Sequence, residues 1–303
     1  MFSGIFTSLI TPYNDGQNRH IDTITLTRLA ADQLAKGVSG FLVSGHTGEG
    51  LLLNSDEKTS VIQIVKTAIN STGLQKILIA DCTAYSTGTA VKNTADAIIA
   101  GADAVLVKPP SCPACPDRAV FDHFVTVANQ SQLPVIICND PKQTGLNLNF
   151  ADVLRLGEHN NIKAYCEAGD SLHTIEKLKA ELSSKIAIMS SNDISALPML
   201  LAGAGGVISS SSNAVLKKWI TLFNNFKDNN FIAAQKNQSE LLGLHEALTI
   251  EPGPGAVKAV LNLAGLTASD VRQPFIQPMR PVLYRLAAEL DKLGIPINNG
   301  ELS

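Results

Sequence analysis

Eight times between residues 4 and 209 the chain repeats one pattern: a short apolar run, a break at Gly, Pro, Asn, Asp or Ser, then apolar residues at helical spacing. The runs fall at 4–12, 40–44, 77–80, 104–108, 134–138, 161–168, 186–189 and 206–209. They are continuously apolar rather than alternating. That pattern fits strands buried on both faces, and so a parallel sheet covered by helices. Eight such units, roughly 25–30 residues apart, close most simply into an α/β fold of the (β/α)8 TIM barrel type. Gly37 and Gly101 stop the helices that precede them, and Asn54 with Glu57 three residues on spells a capping box. Beyond about residue 224 the strands cease. Helical spacing at 232–248, 256–264 and 281–293, with Glu251-Pro252-Gly253-Pro254-Gly255 as an internal turn, predicts a C-terminal helical extension. The expected division is a barrel over 1–224 and an extension over 225–303.

A length of 303 residues suits one barrel with an appendage, and an apolar fraction of 45% supplies a core. The formal charge of −3, with no basic run, argues against a nucleic-acid partner or an anionic membrane surface. No apolar run reaches membrane-spanning length, and Met1-Phe2-Ser3-Gly4 leads straight into a strand with no leader pattern. Five cysteines in a chain this long are no secreted disulfide framework, so a cytoplasmic protein with reduced thiols is expected.

Barrels of this kind keep their chemistry at the C-terminal ends of the strands. All five cysteines fall there: Cys82 after strand three, Cys112 and Cys115 after strand four, Cys138 on strand five and Cys166 on strand six. Packing as small buried hydrophobes is one account, and it is the one expected for Cys82. Thiol catalysis is a second, with Cys138 and Cys166 on adjacent strands and His46, in the loop Gly45-His46-Thr47-Gly48-Glu49-Gly50, as a base or acid. Metal ligation is a third, since Cys112-x-x-Cys115 has ligand spacing. A fourth is a redox pair, with Cys115-Pro116 at a helix N-terminus. A cationic His46 could also bind a carboxylate, with pH dependence near neutrality. Asp81, Asp140, Glu167 and Asp193 are further acids at the mouth. Asp140 is suited to capping a turn with Pro141, and Glu49 to accepting loop N–H groups. Strand alternation points Lys163 away from the side that Cys166 faces, as a solvated lysine. Lys108 ends strand four, where it is either an imine-forming amine or the partner of an acid such as Glu167 or Glu49.

Several motifs occur together and in order: Gly45-His46-Thr47-Gly48-Glu49 with Glu57 beyond, Asn139-Asp140-Pro141 with Thr144-Gly145, and Glu167-Ala168 ending strand six. Ser191-Asn192-Asp193, Gly206-Val207-Ile208-Ser209 and Glu251-Pro252 follow. Over nearly its whole length the chain thereby resembles the dihydrodipicolinate synthase / N-acetylneuraminate lyase family. The resemblance implies a class I aldolase or lyase, in which a strand-six lysine forms a Schiff base with a 2-oxo acid and a strand-five tyrosine relays protons. A Gly-Ser/Thr-Thr loop holds the substrate carboxylate. This sequence departs from that set. Cys166 stands at the lysine position, Cys138 at the tyrosine, His46 at the first hydroxyl of the loop, Ser111 at the interface tyrosine, and Gln143 at the arginine that synthases use.

A thiol forms no imine with a ketone, so the family's electron sink is missing at position 166. On this reading Cys166, Cys138 and His46 are the catalytic positions, and Thr47, Gly48, Lys108, Ser111, Gln143, Glu167 and Ile208 meet the substrate. Three functions follow. One is a lyase-type enzyme acting on a small 2-oxo-acid-like carboxylate by thiol and histidine chemistry. The second is an inactive relative that binds a small acid or regulates a partner. The third is an imine enzyme with its lysine relocated to Lys108, by analogy with transaldolase-like barrels. No cofactor is expected, and the resemblance implies a homodimer or homotetramer.

Overall fold

The structure, a computed structural model, describes residues 1–14, 19–111, 115–182 and 185–298. Among these, eight parallel strands close in chain order into one barrel: β1 (Gly4–Ser8), β2 (Gly40–Val43), β3 (Ile77–Asp81), β4 (Ala104–Val107), β5 (Val135–Asn139), β6 (Ile162–Glu167), β7 (Ala187–Ser190) and β8 (Gly206–Ser209). β1 pairs with β8, which leaves no sheet edge. The helices between them are α1 (Thr23–Ala35), α2 (Ser55–Ser71), α3 (Thr87–Ala100), α4 (Asp117–Gln130), the single turn α5 (Pro141–Thr144), α6 (Phe150–Gly157), α7 (Leu172–Leu182), α8 (Ala196–Ala202) and α9 (Ser212–Lys227). The extension is α10 (Phe231–Ile250), α11 (Pro254–Leu263) and α12 (Arg280–Lys292). The expected boundary at residue 224 falls inside α9, three residues before its end, because that helix completes the eighth barrel unit.

Local signals explain the element ends. The Asn54 side chain accepts from Glu57 N–H while the Glu57 carboxylate accepts from Asn54 N–H, the capping box read from the sequence. Gly101 closes α3 in the left-handed region, where a Cβ is disfavoured.

Strand alternation sorts the apolar residues into two clusters. One lies inside the barrel and includes Phe6, Leu42, Ile79, Leu106, Ile136 and Ile208. The other, larger, fills the space between strands and helices and takes the alternate residues, among them Ile5, Phe41, Leu78, Ile137 and Tyr165. Cys138, Cys166 and Met189 belong to the inner cluster, whereas Cys82 belongs to the outer one and packs there. The strand-six thiol therefore faces the lumen. Lys163 is exposed at the start of β6, at the point where the pairing with β5 slips by one residue and Ile162 turns to the outer cluster.

Candidate active site at the barrel mouth

The loop after β2 is folded tightly against the end of β1. Gly50 N–H donates to Gly45 C=O at 2.9 Å, and the Thr11 hydroxyl donates to Gly48 C=O at 2.7 Å. A Cβ on Gly50 would lie 1.6 Å from the Ser44 carbonyl oxygen, so only glycine fits there. Thr47 accepts from the Ser8 hydroxyl at 3.1 Å. Glu49 accepts a loop N–H as expected, and a buried ammonium besides. Its carboxylate accepts from Lys258 Nζ at 2.5 Å and from Arg272 N–H at 2.7 Å, both in the C-terminal region. Arg272 also forks onto the Glu57 carboxylate, with bonds of 2.8 and 2.5 Å, and Phe275 meets the His46 ring edge-on at 5.4 Å between centroids. The segment between α11 and α12 is thus strapped onto the loop beside the mouth. Spacing alone pointed to none of Lys258, Arg272 and Phe275, because they lie more than two hundred residues from their partners.

Inside the mouth the central group is Lys108. Its Nζ donates to Asp81 Oδ2 at 3.1 Å and to Gln143 Oε1 at 3.0 Å, and the side chain is almost fully buried. The expected partners, Glu167 or Glu49, are not the ones it has: Asp81, at the end of the adjacent strand β3, is. Burial works against the Lys108 ammonium, but the Asp81 carboxylate, with Asp140 behind it, outweighs burial and holds the pKa above the ordinary lysine value. Lys108 is therefore a fixed cation. Asp140 caps α5 by accepting from Gln143 N–H at 3.3 Å, and burial raises its pKa against the pull of Lys108.

His46 corrects a second expectation. Burial, reinforced by the positive charge of Lys108 and opposed by Asp81, lowers its pKa to about 4. At neutral pH it is an uncharged imidazole. It can take or give a proton, but it does not supply the carboxylate-binding cation the sequence suggested.

Glu167 is the third correction. It alternates with Cys166 and so points away from the lumen. Its carboxylate accepts from the Tyr165 hydroxyl, from Asn139 Nδ2 at 3.3 Å and from Gly169 N–H at 2.8 Å. It ties the ends of β5 and β6 together and meets no ligand in the barrel.

The two lumen thiols lie side by side, since Cys138 and Cys166 are register partners across β5 and β6. A hydrogen bond to Cys166, together with burial, holds the Cys138 thiol well above the usual cysteine range, so it is protonated at neutral pH. Ile208 closes the inner wall and Ser111 is half-buried just past β4. Cys112 lies outside the described residues. Cys115 is half-buried before α4 and packs against the outer cluster. Among the described residues no group of three His, Cys, Asp or Glu side chains is placed to hold a metal ion.

The mouth thus brings together the Thr47–Gly48 loop, one buried cation held by an acid, one neutral imidazole, and, among the described residues, no amine at the end of β6. The description "Dihydrodipicolinate synthetase family" matches residues 1–291. The chain is 32% identical over 287 residues to a 4-hydroxy-tetrahydrodipicolinate synthase of Methanothrix thermoacetophila, covering 92% of each protein. It superposes on dihydrodipicolinate synthase from Aquifex aeolicus with a TM-score of 0.93 at 28% identity, covering 98% of this chain and 100% of that one. Against the chloride-inhibited synthase of Acinetobacter baumannii, solved with pyruvate, the TM-score is 0.92 at 27% identity, with 97% and 100% covered. On the length and order of this match, the chain belongs to the dihydrodipicolinate synthetase family.

Proposed function

We propose that the chain binds a small 2-oxo-acid-like carboxylate at the barrel mouth and, as a lyase or aldolase of its family, acts on it without an imine at the end of β6. The observation that carries this reading is the lumen-facing, fully buried thiol of Cys166, where the family's chemistry requires an amine. The carboxylate would sit on the Thr47–Gly48 loop, and the solved relative holding pyruvate supports a ligand of that class. The carbonyl oxygen would face Lys108. An ammonium held in place by Asp81 stabilises a developing enolate by charge and hydrogen bonding, so it replaces the iminium as the electron sink. Neutral His46 takes the proton from the adjacent carbon. The Cys138 thiol, protonated and buried beside Cys166 in the inner cluster, lines the barrel interior rather than acting as a resting nucleophile.

A second reading has Lys108 itself as the imine lysine. In its favour, its amine is buried at the mouth, whereas Lys163 is exposed on the outside. One experiment separates the readings. The protein is incubated with pyruvate and borohydride for intact mass and peptide mapping, and in parallel with pyruvate in D2O to follow methyl-proton exchange by NMR. The proposal expects exchange faster than buffer, lost in His46→Gln, with no reduced adduct. An adduct on Lys108 replaces it with the imine reading. Neither exchange nor saturable binding of pyruvate leaves an inactive relative. Assembly as a homo-oligomer in a reducing cytoplasm is part of the proposal, and sedimentation of the purified chain tests the assembly. Among the described residues no helix is long and apolar enough to cross a membrane.

A further inference from the structure

Within the connection from α11 to α12, residues 270–279 are held at both ends and turned inward at one point. At the start, Asp270 C=O accepts from Lys258 Nζ at 2.7 Å and Arg272 N–H donates to Glu49 Oε2 at 2.7 Å. Besides its fork on Glu57, the Arg272 guanidinium donates to Leu52 C=O at 3.2 Å and to Arg19 C=O at 2.9 Å. At the far end, Met279 N–H donates to Glu251 Oε2 at 2.9 Å. Between Arg272 and Pro278 every residue is exposed except Phe275, which is half-buried. Its ring meets the His46 ring edge-on, with 5.4 Å between centroids and 84° between planes. We propose that Phe275 is a positioning residue of the mouth: it fixes the plane of the His46 imidazole and keeps water from one side of it. That role rests on, and deepens, the reading of His46 as the base.

Three observations support it. First, core packing does not account for the inward turn. Phe275 belongs to neither apolar cluster, and its ring lies beside Gly253, where a Cβ would stand 3.5 Å from it. A phenyl ring outside any core and set against an imidazole acts on that imidazole. Second, the backbone is shaped to bring it there. A Cβ on Gly255, in the first turn of α11, would lie 2.2 Å from the Ile276 carbonyl oxygen, so only glycine lets the segment run this close. Third, His46 has no other orienting partner: among the described residues neither ring nitrogen makes a hydrogen bond. A base is ordinarily oriented by a third group bonded to it. Here an edge-to-face ring contact holds the plane instead, and the nitrogens stay open to a ligand. Excluding water from the ring disfavours the imidazolium, in keeping with a pKa lowered chiefly by burial to about 4. The charges acting on the ring are Lys108, just past β4, and Asp81, at the end of β3. Those of the segment itself are engaged elsewhere, Arg272 by Glu57 and Asp270 by Arg19.

The test follows the His46 ring by NMR in the full chain with isotope-labelled histidine, its resonance assigned by loss in His46→Gln. Between pH 4.5 and 8 the wild-type ring should remain largely neutral. In Phe275→Ala the proton affinity of His46 should rise at least tenfold, to a midpoint above about 5. His123, which burial also holds at about 4, should keep its wild-type behaviour and so reports on the fold. An unmoved His46 midpoint in the variant overturns the role of Phe275. A shift that His123 shares overturns it equally, since that marks a loosened fold rather than the loss of a local cover. Nuclear Overhauser contacts between the His46 and Phe275 rings in the wild type need no variant, and their absence also overturns it. Methyl exchange of pyruvate, followed against pH, is the catalytic readout: its acid limb should move up in Phe275→Ala along with the His46 midpoint. No exchange in the wild type counts against His46 as the base and not against the cover, which the titration and the ring contacts decide.

Discussion

The Glu49 carboxylate and the Lys258 ammonium meet at 2.5 Å with neither side chain exposed, joining the loop after β2 to α11 across 209 positions of sequence. The cation also lies 3.9 Å from the centroid of the Tyr13 ring and donates to Asp270 C=O at 2.7 Å. Taking one partner away would leave the other charge buried and uncompensated. Lys258→Met is therefore expected to destabilise the fold by about 3–5 kcal/mol. The Glu49→Gln/Lys258→Met pair should recover much of that. Urea denaturation checks both, and a loss below about 1 kcal/mol in the single variant would show that the pair carries no such role.

The Lys108–Asp81 contact makes a prediction about reactivity. Asp81 opposes the effect of burial on the Lys108 amine. In Asp81→Asn burial acts with less opposition and the pKa of Lys108 falls, raising the unprotonated fraction at pH 7 to 8. Pyruvate and borohydride should then leave an adduct on Lys108 in the variant and none in the wild type. Equal labelling of the two proteins would mean that Asp81 does not set the charge of Lys108.

Two histidines contribute to the acid side of the stability profile. Burial lowers both His46 and His123 from the ordinary value of 6.5 to about 4, with Lys108 adding to the effect at His46. Between those values the unfolded chain binds protons that the folded chain does not. Stability is therefore fully present above about pH 6.5 and falls as pH drops through 4. Denaturation midpoints at pH 4.5 and pH 7 should differ in that sense, and His46→Gln should narrow the difference. Imidazole titration by NMR with a midpoint near 6.5 for both rings would remove the basis for it.

Thiol labelling distinguishes an inert wall from a ready nucleophile. Cys138 is raised well above the usual range, and burial pushes Cys82 up to about 12. Iodoacetamide at pH 7.5 should leave both unmodified in the folded protein and alkylate them promptly in urea. Stoichiometric labelling of Cys138 in the native state within minutes would identify a thiolate and return thiol catalysis to the mouth.

Much of the site was legible before any coordinates. The period of two in a strand sends Cys166 to one side and Tyr165 and Glu167 to the other, and Cys166 and Cys138 do face the lumen. The same alternation should have excluded Glu167 as a ligand-facing acid, but its place in a family motif masked that. The charge on His46 could not be read locally, because it depends on burial under Phe275 and on a lysine 62 positions away.

Apolar periodicity and chain-local caps are short-range properties, and from them followed the eight strand–helix units and the helical tail; a cysteine at the family's lysine position was implied by the resemblance alone. Which acid Lys108 answers to, which proton His46 lacks, and how residues 270–278 are strapped to the loop after β2 are matters of distance between segments far apart in the chain. Closing the barrel sets those distances, and no spacing along the polypeptide encodes them.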